Sequence, residues 1–264
     1  MWKLLLVPPL LYLLILLLFA ALQTRMLFPA GAVGRAGPLP ESAERLTLET
    51  PGGETLHGVR IPGAGGPLIL GFGGNAWNAD AAADYLHRLY PQADIVAFHY
   101  RGYAPSTGTP SAAALIEDAA FVHDRMVERL KPDRVVAVGF SVGSGVAAHL
   151  AAARPLDGAI LVTPFDSLAA VGADHYPWLP VRLLFRHAME PAEALRDSPV
   201  PVAILAAEQD RLIPPKRTEA LRAAVKTLVY ERTVGGAGHN DIYERSEFHL
   251  AMREALRRIE APGR

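Results

Sequence analysis

The sequence predicts an α/β fold: a mostly parallel, doubly wound sheet, with one N-terminal transmembrane helix ahead of it. Three observations carry this. Short β-branched runs such as Val135-Val136-Ala137-Val138, Ala159-Ile160-Leu161-Val162 and Val202-Ala203-Ile204-Leu205 are continuously apolar rather than alternating, as strands covered on both faces require. Segments with helical spacing separate them, as parallel crossovers demand. Leu4 to Leu22 is an uncharged, almost wholly apolar stretch long enough to cross a hydrocarbon core of roughly 30 Å.

In chain order, residues 1–25 read as a membrane anchor or signal segment, 26–44 as a linker, and 45–260 as one catalytic-size domain. Small residues are poorly placed for cleavage around Phe19-Ala20-Ala21-Leu22, which favours an uncleaved anchor, although Pro8-Pro9 shortens the continuous span. Lys3 precedes the span and Arg25, Arg35 and Arg45 follow it, so flanking charge gives little orientation; an extracytoplasmic domain is the preferred side. Met26 to Glu44 is rich in Gly and Pro. Leu46–Glu49 and Thr55–Ile61 flank Pro51-Gly52-Gly53 as a hairpin. Leu68–Leu70 is a short strand, Ala79–Tyr90 a helix and Asp94–His99 a strand. Ala112–Leu130, capped by Ser111, keeps Leu115, Ala119, Val122, Met126 and Leu130 on one face. Arg134–Gly139 is a strand and Val146–Ala153 an Ala-rich helix. Leu228–Tyr230 adds a strand, and Asp241–Ile259 closes the chain as a helix. Pro164–Asp197 interrupts the alternation, either as a small cap or as a helix packed on the sheet.

Composition narrows the chemistry. A net charge of −1 without a basic block argues against a nucleic-acid partner, and zero cysteines exclude disulfides and thiolate chemistry. No metal and no cofactor are expected.

Gly139-Phe140-Ser141-Val142-Gly143 is a G-x-S-x-G motif between a strand and a helix. It is the setting that lifts a serine hydroxyl out of a sheet on a sharp turn. Such a serine becomes a nucleophile only beside a base, and the base needs an orienting carboxylate. Asp210 follows the Val202–Ala207 run, with Glu208 as a competitor two residues away. His239 sits in the glycine-rich loop before the last helix. His99, His149 and His187, among nine histidines, lack such a loop. Ser141, Asp210 and His239 are therefore the candidate catalytic residues. Candidate oxyanion donors are the backbone N–H groups of Val142, after the serine, and Asn75, in the Gly71–Asn78 loop. That loop lacks the G-x-G-x-x-G pattern and the lysine of a phosphate cradle.

Taken together, Gly73-Gly74-Asn75-Ala76, Tyr100-Arg101-Gly102-Tyr103 with Ser106–Ser111, the elbow, Pro164–Leu168, His175-Tyr176-Pro177, Asp210–Pro214 and Gly236–Asp241 resemble the N-terminally anchored, single-domain serine hydrolases of the α/β-hydrolase superfamily. Gln23 and Phe28-Pro29 fit the same pattern. The initial hairpin and later β-α repeats suit the α/β-hydrolase fold. Two positions depart from it: Gly73 stands where H-G-N-A-G has histidine, and His99 stands where an aspartate is usual. The resemblance implies cleavage of small-molecule or lipid esters and thioesters through an acyl-enzyme, with the membrane as a partner. The alternatives are a serine peptidase of the prolyl-oligopeptidase type, without an accessory domain, and a non-catalytic membrane-associated binding protein.

Overall fold

A computed structural model describes residues 7–261; the first six residues of the expected anchor, Lys3 among them, lie outside it. Helix α1 (Val7–Leu27) starts next to Pro8-Pro9, whose fixed φ and missing N–H suit a first helical turn. A 3-10 turn (Ala30–Ala32) and irregular chain lead to the sheet. This lead-in is packed at its start, where Phe28 is buried against the domain core.

The sheet has eight strands in the order β1-β2-β4-β3-β5-β6-β7-β8. β1 (Glu44–Glu49) and β2 (Thr55–Ile61) form the expected antiparallel hairpin, and β2 pairs antiparallel with β4 (Asp94–Phe98). β3 (Leu68–Phe72), β5 (Val135–Phe140), β6 (Gly158–Val162), β7 (Val202–Ala207) and β8 (Leu228–Val234) continue in parallel. β3, β5, β6 and β7 are buried at every position, as continuous apolar runs require. β8 is the outer strand, and it carries exposed Glu231 and Arg232 at the edge, where charge discourages further pairing.

Side chains alternate between two core layers. Leu68, Leu70, Val135 and Ala137 meet α3 (Ala112–Leu130), α4 (Val142–Ala153) and α8 (Pro215–Ala224) through Leu115, Val122, Val146 and Leu221. Ile69, Val136 and Val138 meet α2 (Ala79–Leu89) and α9 (Ser246–Glu260) through Leu86, Phe248 and Met252. The result is a sheet between two helical layers, the α/β-hydrolase fold read from the sequence. Asn78 and Ser111 cap α2 and α3 by accepting from Asp80 N–H at 2.9 Å and Ala114 N–H at 3.0 Å.

Pro164–Asp197 divides between the two readings. α5 (Leu168–His175) lines a cavity above the strand ends, with Phe185 just beyond α6 (Val181–Leu184), whereas α7 (Pro191–Leu195) packs on the α4 side of the sheet. Arg217 of α8 holds α5 down through Asp174 at 2.7 Å and Asp166 at 3.2 Å. α8 carries no apolar periodicity in the sequence, since of its ten residues only Thr218 and Leu221 are buried. The expected helix Asp241–Ile259 is broken into a 3-10 turn, Ile242–Glu244, and α9.

Candidate active site

Ser141 is the single residue between β5 and α4, at φ 52° and ψ −119°. A non-glycine residue is rarely found there, and the conformation persists because its surroundings hold it. Its N–H donates to Val162 O at 2.9 Å, which ties the elbow to the end of β6. Ser144 Oγ donates to Ser141 O at 2.5 Å from inside the first turn of α4. The flanking glycines are required by contact. A Cβ on Gly139 would lie 2.2 Å from Gly143 O, and one on Gly143 would lie 2.2 Å from Phe72 O. The first turn of α4 therefore rests directly on the backbone at the end of β3.

β7 and β8 deliver the other two groups. Asp210 folds back on its own loop, where Oδ1 accepts from Leu212 N–H at 2.9 Å and Ile213 N–H at 2.7 Å. Its Oδ2 lies 2.7 Å from His239 Nδ1, and His239 Nε2 lies 3.0 Å from Ser141 Oγ. A carboxylate accepts only, so Nδ1 carries the imidazole proton and Nε2 is left to accept from the serine hydroxyl. Asp210 and His239 are both buried. Glu208 does not compete for the imidazole: its Oε2 accepts from Gly236 N–H at 2.8 Å and braces the histidine loop. Gly238 N–H donates to Asp241 Oδ1 at 2.7 Å and fixes the loop's other side. His99, His149 and His187 lie elsewhere, beside Asp80, Gly145 O and Thr24. The structure thus brings Ser141, Asp210 and His239 together from positions 29 and 98 residues apart.

Asn75 and Val142 line the same cavity as Ser141. Val142 opens α4, where first-turn N–H groups have no partner within the helix. Gly74 O accepts from Trp77 N–H at 3.1 Å, and in a trans peptide this aims the Asn75 N–H the opposite way. Tyr100 Oη donates to Gly73 O and Tyr103 Oη to Asn75 O, both at 2.7 Å, which clamps the loop at two carbonyls. Burial pushes both phenols above their ordinary range and keeps them donors. The sequence held these clamps in Tyr100-Arg101-Gly102-Tyr103, but spacing alone assigned them no task.

The glycine at 73 has a local cause. A Cβ there would lie 2.9 Å from Trp77 Cβ. The Trp77 ring stacks on Phe140 at 4.9 Å between centroids and meets Tyr243 edge-on, so the space a larger residue would need is already filled. Trp77 supports the loop from below in place of a side chain at position 73.

The cavity holds about 270 Å³ and is walled by apolar side chains: Val142, Phe165, Leu168, Val171, Phe185 and Ile213 from the domain, with Phe19 and Leu27 from α1. None of its lining residues is Asp or Glu. Among the described residues, no group of three His, Asp or Glu side chains is placed to hold a metal ion.

The family model for the alpha/beta hydrolase fold matches residues 67–190. An uncharacterized protein of Mycobacterium tuberculosis is 34% identical over 227 residues, covering 83% of this chain and 81% of that protein. The lysophosphatidylserine lipase ABHD12 of Danio rerio is 30% identical over 173 residues, covering 56% of this chain and 44% of that protein. Among solved structures, the Pyrococcus furiosus esterase Pf2001 superposes with a TM-score of 0.69 at 18% identity, covering 87% of this chain and 96% of the esterase. An alpha-beta hydrolase from Vibrio vulnificus gives 0.67 at 20% identity, covering 82% and 86%.

Proposed function

We propose that this chain, which belongs to the α/β-hydrolase superfamily, is a serine hydrolase that cleaves carboxylic esters or thioesters through an acyl-enzyme. The observation that carries the reading is the unbroken line Asp210–His239–Ser141, at 2.7 Å and 3.0 Å. His239 Nε2 takes the Ser141 proton as Oγ attacks the acyl carbon. The same nitrogen then gives that proton to the departing alkoxide or thiolate, and in a second cycle it activates water against the acyl-enzyme. Asp210 holds the ring in the required tautomer and stabilises the imidazolium formed during each transfer. The N–H groups of Val142 and Asn75 receive the transient oxyanion, and the tyrosine clamps hold the second donor in place before the charge develops.

Ester rather than peptide substrates are favoured by the apolar lining, which offers no carboxylate to a substrate amine. α1 is apolar over 21 residues and turns a face of exposed leucines away from the domain, so the enzyme is membrane-anchored through that face in this reading.

The test is a fluorophosphonate probe with p-nitrophenyl ester turnover. The parent protein labels and turns over; Ser141→Ala does not label, and its kcat falls by about 10⁴–10⁶. Unlabelled folded parent protein, or strong ester turnover by Ser141→Ala, would overturn the proposal.

A further inference from the structure

The outer surface of α1 and the inner surface of the cavity belong to one helix. Leu10, Leu13, Leu14, Leu17, Leu18 and Leu22 are exposed along α1. A second stripe at helical spacing, Leu16, Phe19, Gln23 and Leu27, turns toward the domain and is less exposed. Contacts along that stripe are specific. Tyr12 Oη donates to Trp178 O at 2.9 Å, and the Phe19 ring meets Tyr176 edge-on at 6.2 Å. Gln23, the buried residue of α1, donates through Nε2 to Leu184 O at 3.1 Å and accepts at Oε1 from Arg186 N–H at 2.8 Å. Thr24 Oγ1 lies 2.9 Å from His187 Nε2.

From Tyr12 to Thr24 the helix rises about 18 Å at ~1.5 Å per residue, and the α5–α6 segment accompanies it throughout. A bilayer that covers the outer face of α1 therefore also reaches the tip of this segment. The exposed side chains of the segment include Trp178, level with Tyr12, and Leu183, beside the Leu184 that meets Gln23, at 55% and 83%, suited to a membrane interface. Arg25, Arg182 and Arg186 are exposed on the same two segments, and neither Val7–Arg35 nor Tyr176–Met189 contains an Asp or Glu. The surface is apolar at its centre and cationic beside it, the complement of an anionic lipid leaflet. Phe19, Gln23, Met26 and Leu27 of α1 line the cavity that ends at Ser141, and Met26 is half exposed.

We propose that α1 is a wall of the acyl site as well as an anchor, and that the Tyr176–Phe185 segment lies in the lipid headgroup layer beside it. A single acyl chain of a membrane amphiphile then enters sideways, between α1 and α5–α6, without leaving the bilayer. This rests on Ser141 being the nucleophile. A single apolar cavity of about 270 Å³ that ends at Ser141 is a site for one acyl chain at a time.

The full chain in vesicles of phosphatidylcholine and phosphatidylglycerol tests this. Phe19→Trp narrows the wall and Phe19→Ala widens it. The ratio of kcat/KM for decanoyl to acetyl p-nitrophenyl esters falls about tenfold or more in the first variant. In the second, the longest efficiently cleaved chain lengthens. Chain-length profiles identical to the parent in both variants, with fluorophosphonate labelling retained, overturn the α1 wall and leave the hydrolase reading standing; no labelling of the parent overturns both. Headgroup-depth nitroxide lipids quench the fluorescence that is lost in Trp178→Phe. Unquenched Trp178 overturns the membrane position of the segment.

Discussion

Asp210→Asn separates the chemistry of the site from its architecture. Asp210 Oδ1 accepts two backbone N–H bonds, from Leu212 and Ile213, and Oδ2 faces His239 Nδ1 at 2.7 Å. An asparagine carbonyl reproduces the first role. Its NH₂ group then lies where Oδ2 was, and it forces His239 Nδ1 to accept. The proton moves to Nε2, which points at Ser141 Oγ and can no longer receive a proton from it. The loss expected for a wrong tautomer in intact geometry is about 10⁴ in kcat, or about 5.4 kcal/mol at ~1.36 kcal/mol per tenfold. Asp210→Ala loses the tautomer control and also strands the two N–H groups. Each costs about 1–3 kcal/mol if left dry. One such group lowers Tm by roughly 2–12 °C at this chain length, taking ~2–4 °C per kcal/mol. The assay is kcat on a short p-nitrophenyl ester beside a thermal melt of parent, Asn and Ala forms. Activity of Asp210→Asn within tenfold of the parent, or equal Tm for Asn and Ala, would refute the reasoning.

Three further outcomes follow from the geometry. Gly143→Ala places a Cβ 2.2 Å from Phe72 O and 2.5 Å from Gly73 O, so the elbow must shift; kcat/KM falls by about 10² or more, as sub-ångström misplacement does, and a parent-like value would show that the contact is not tight. Tyr103→Phe removes the clamp on Asn75 O; kcat falls about tenfold with KM little changed, less than the ~10² to 10³ lost with an oxyanion donor itself, and an unchanged kcat would remove the clamp from the mechanism. Burial lowers the pKa of His187, with Arg186 adding repulsion, so its stabilising contribution is full above the unfolded value of about 6.5 and is lost as pH falls through the folded one. Tm of the parent therefore drops as pH falls below about 6.5, and His187→Gln flattens the drop; equal slopes would exclude His187 as a cause.

The sheet was legible because its strands are apolar without interruption, and the elbow because only glycine fits at positions 139 and 143. Chain order selected Asp210 and His239, since the carboxylate and imidazole each stand just beyond a strand. The docked face of α1 was not legible. Nearly every residue of that helix is apolar, so no periodicity distinguishes the stripe that meets the domain from the stripe that does not. Gln23, with both ends of its amide bonded, and Thr24 beside it mark the difference. α8 was missed for the opposite reason, since polar residues dominate a helix held by one buried leucine. Gly73 shows a third kind of limit. Its meaning lies in Trp77, whose ring fills the neighbouring space, and contact of that sort leaves no trace in spacing.

Gln23 and its neighbours also set an order of assembly. The residues that grip α1 lie 161 to 166 positions further along the chain. At ~5–20 residues per second of synthesis, the helix waits about 8–32 s before its partners exist. A contact across so long a stretch of chain carries a loop-closure cost before it is repaid. Those partners, Trp178 to His187, are themselves made before Asp210 and His239. Synthesis thus completes the two elements that border the cavity first, and the carboxylate and imidazole that stand beside Ser141 last.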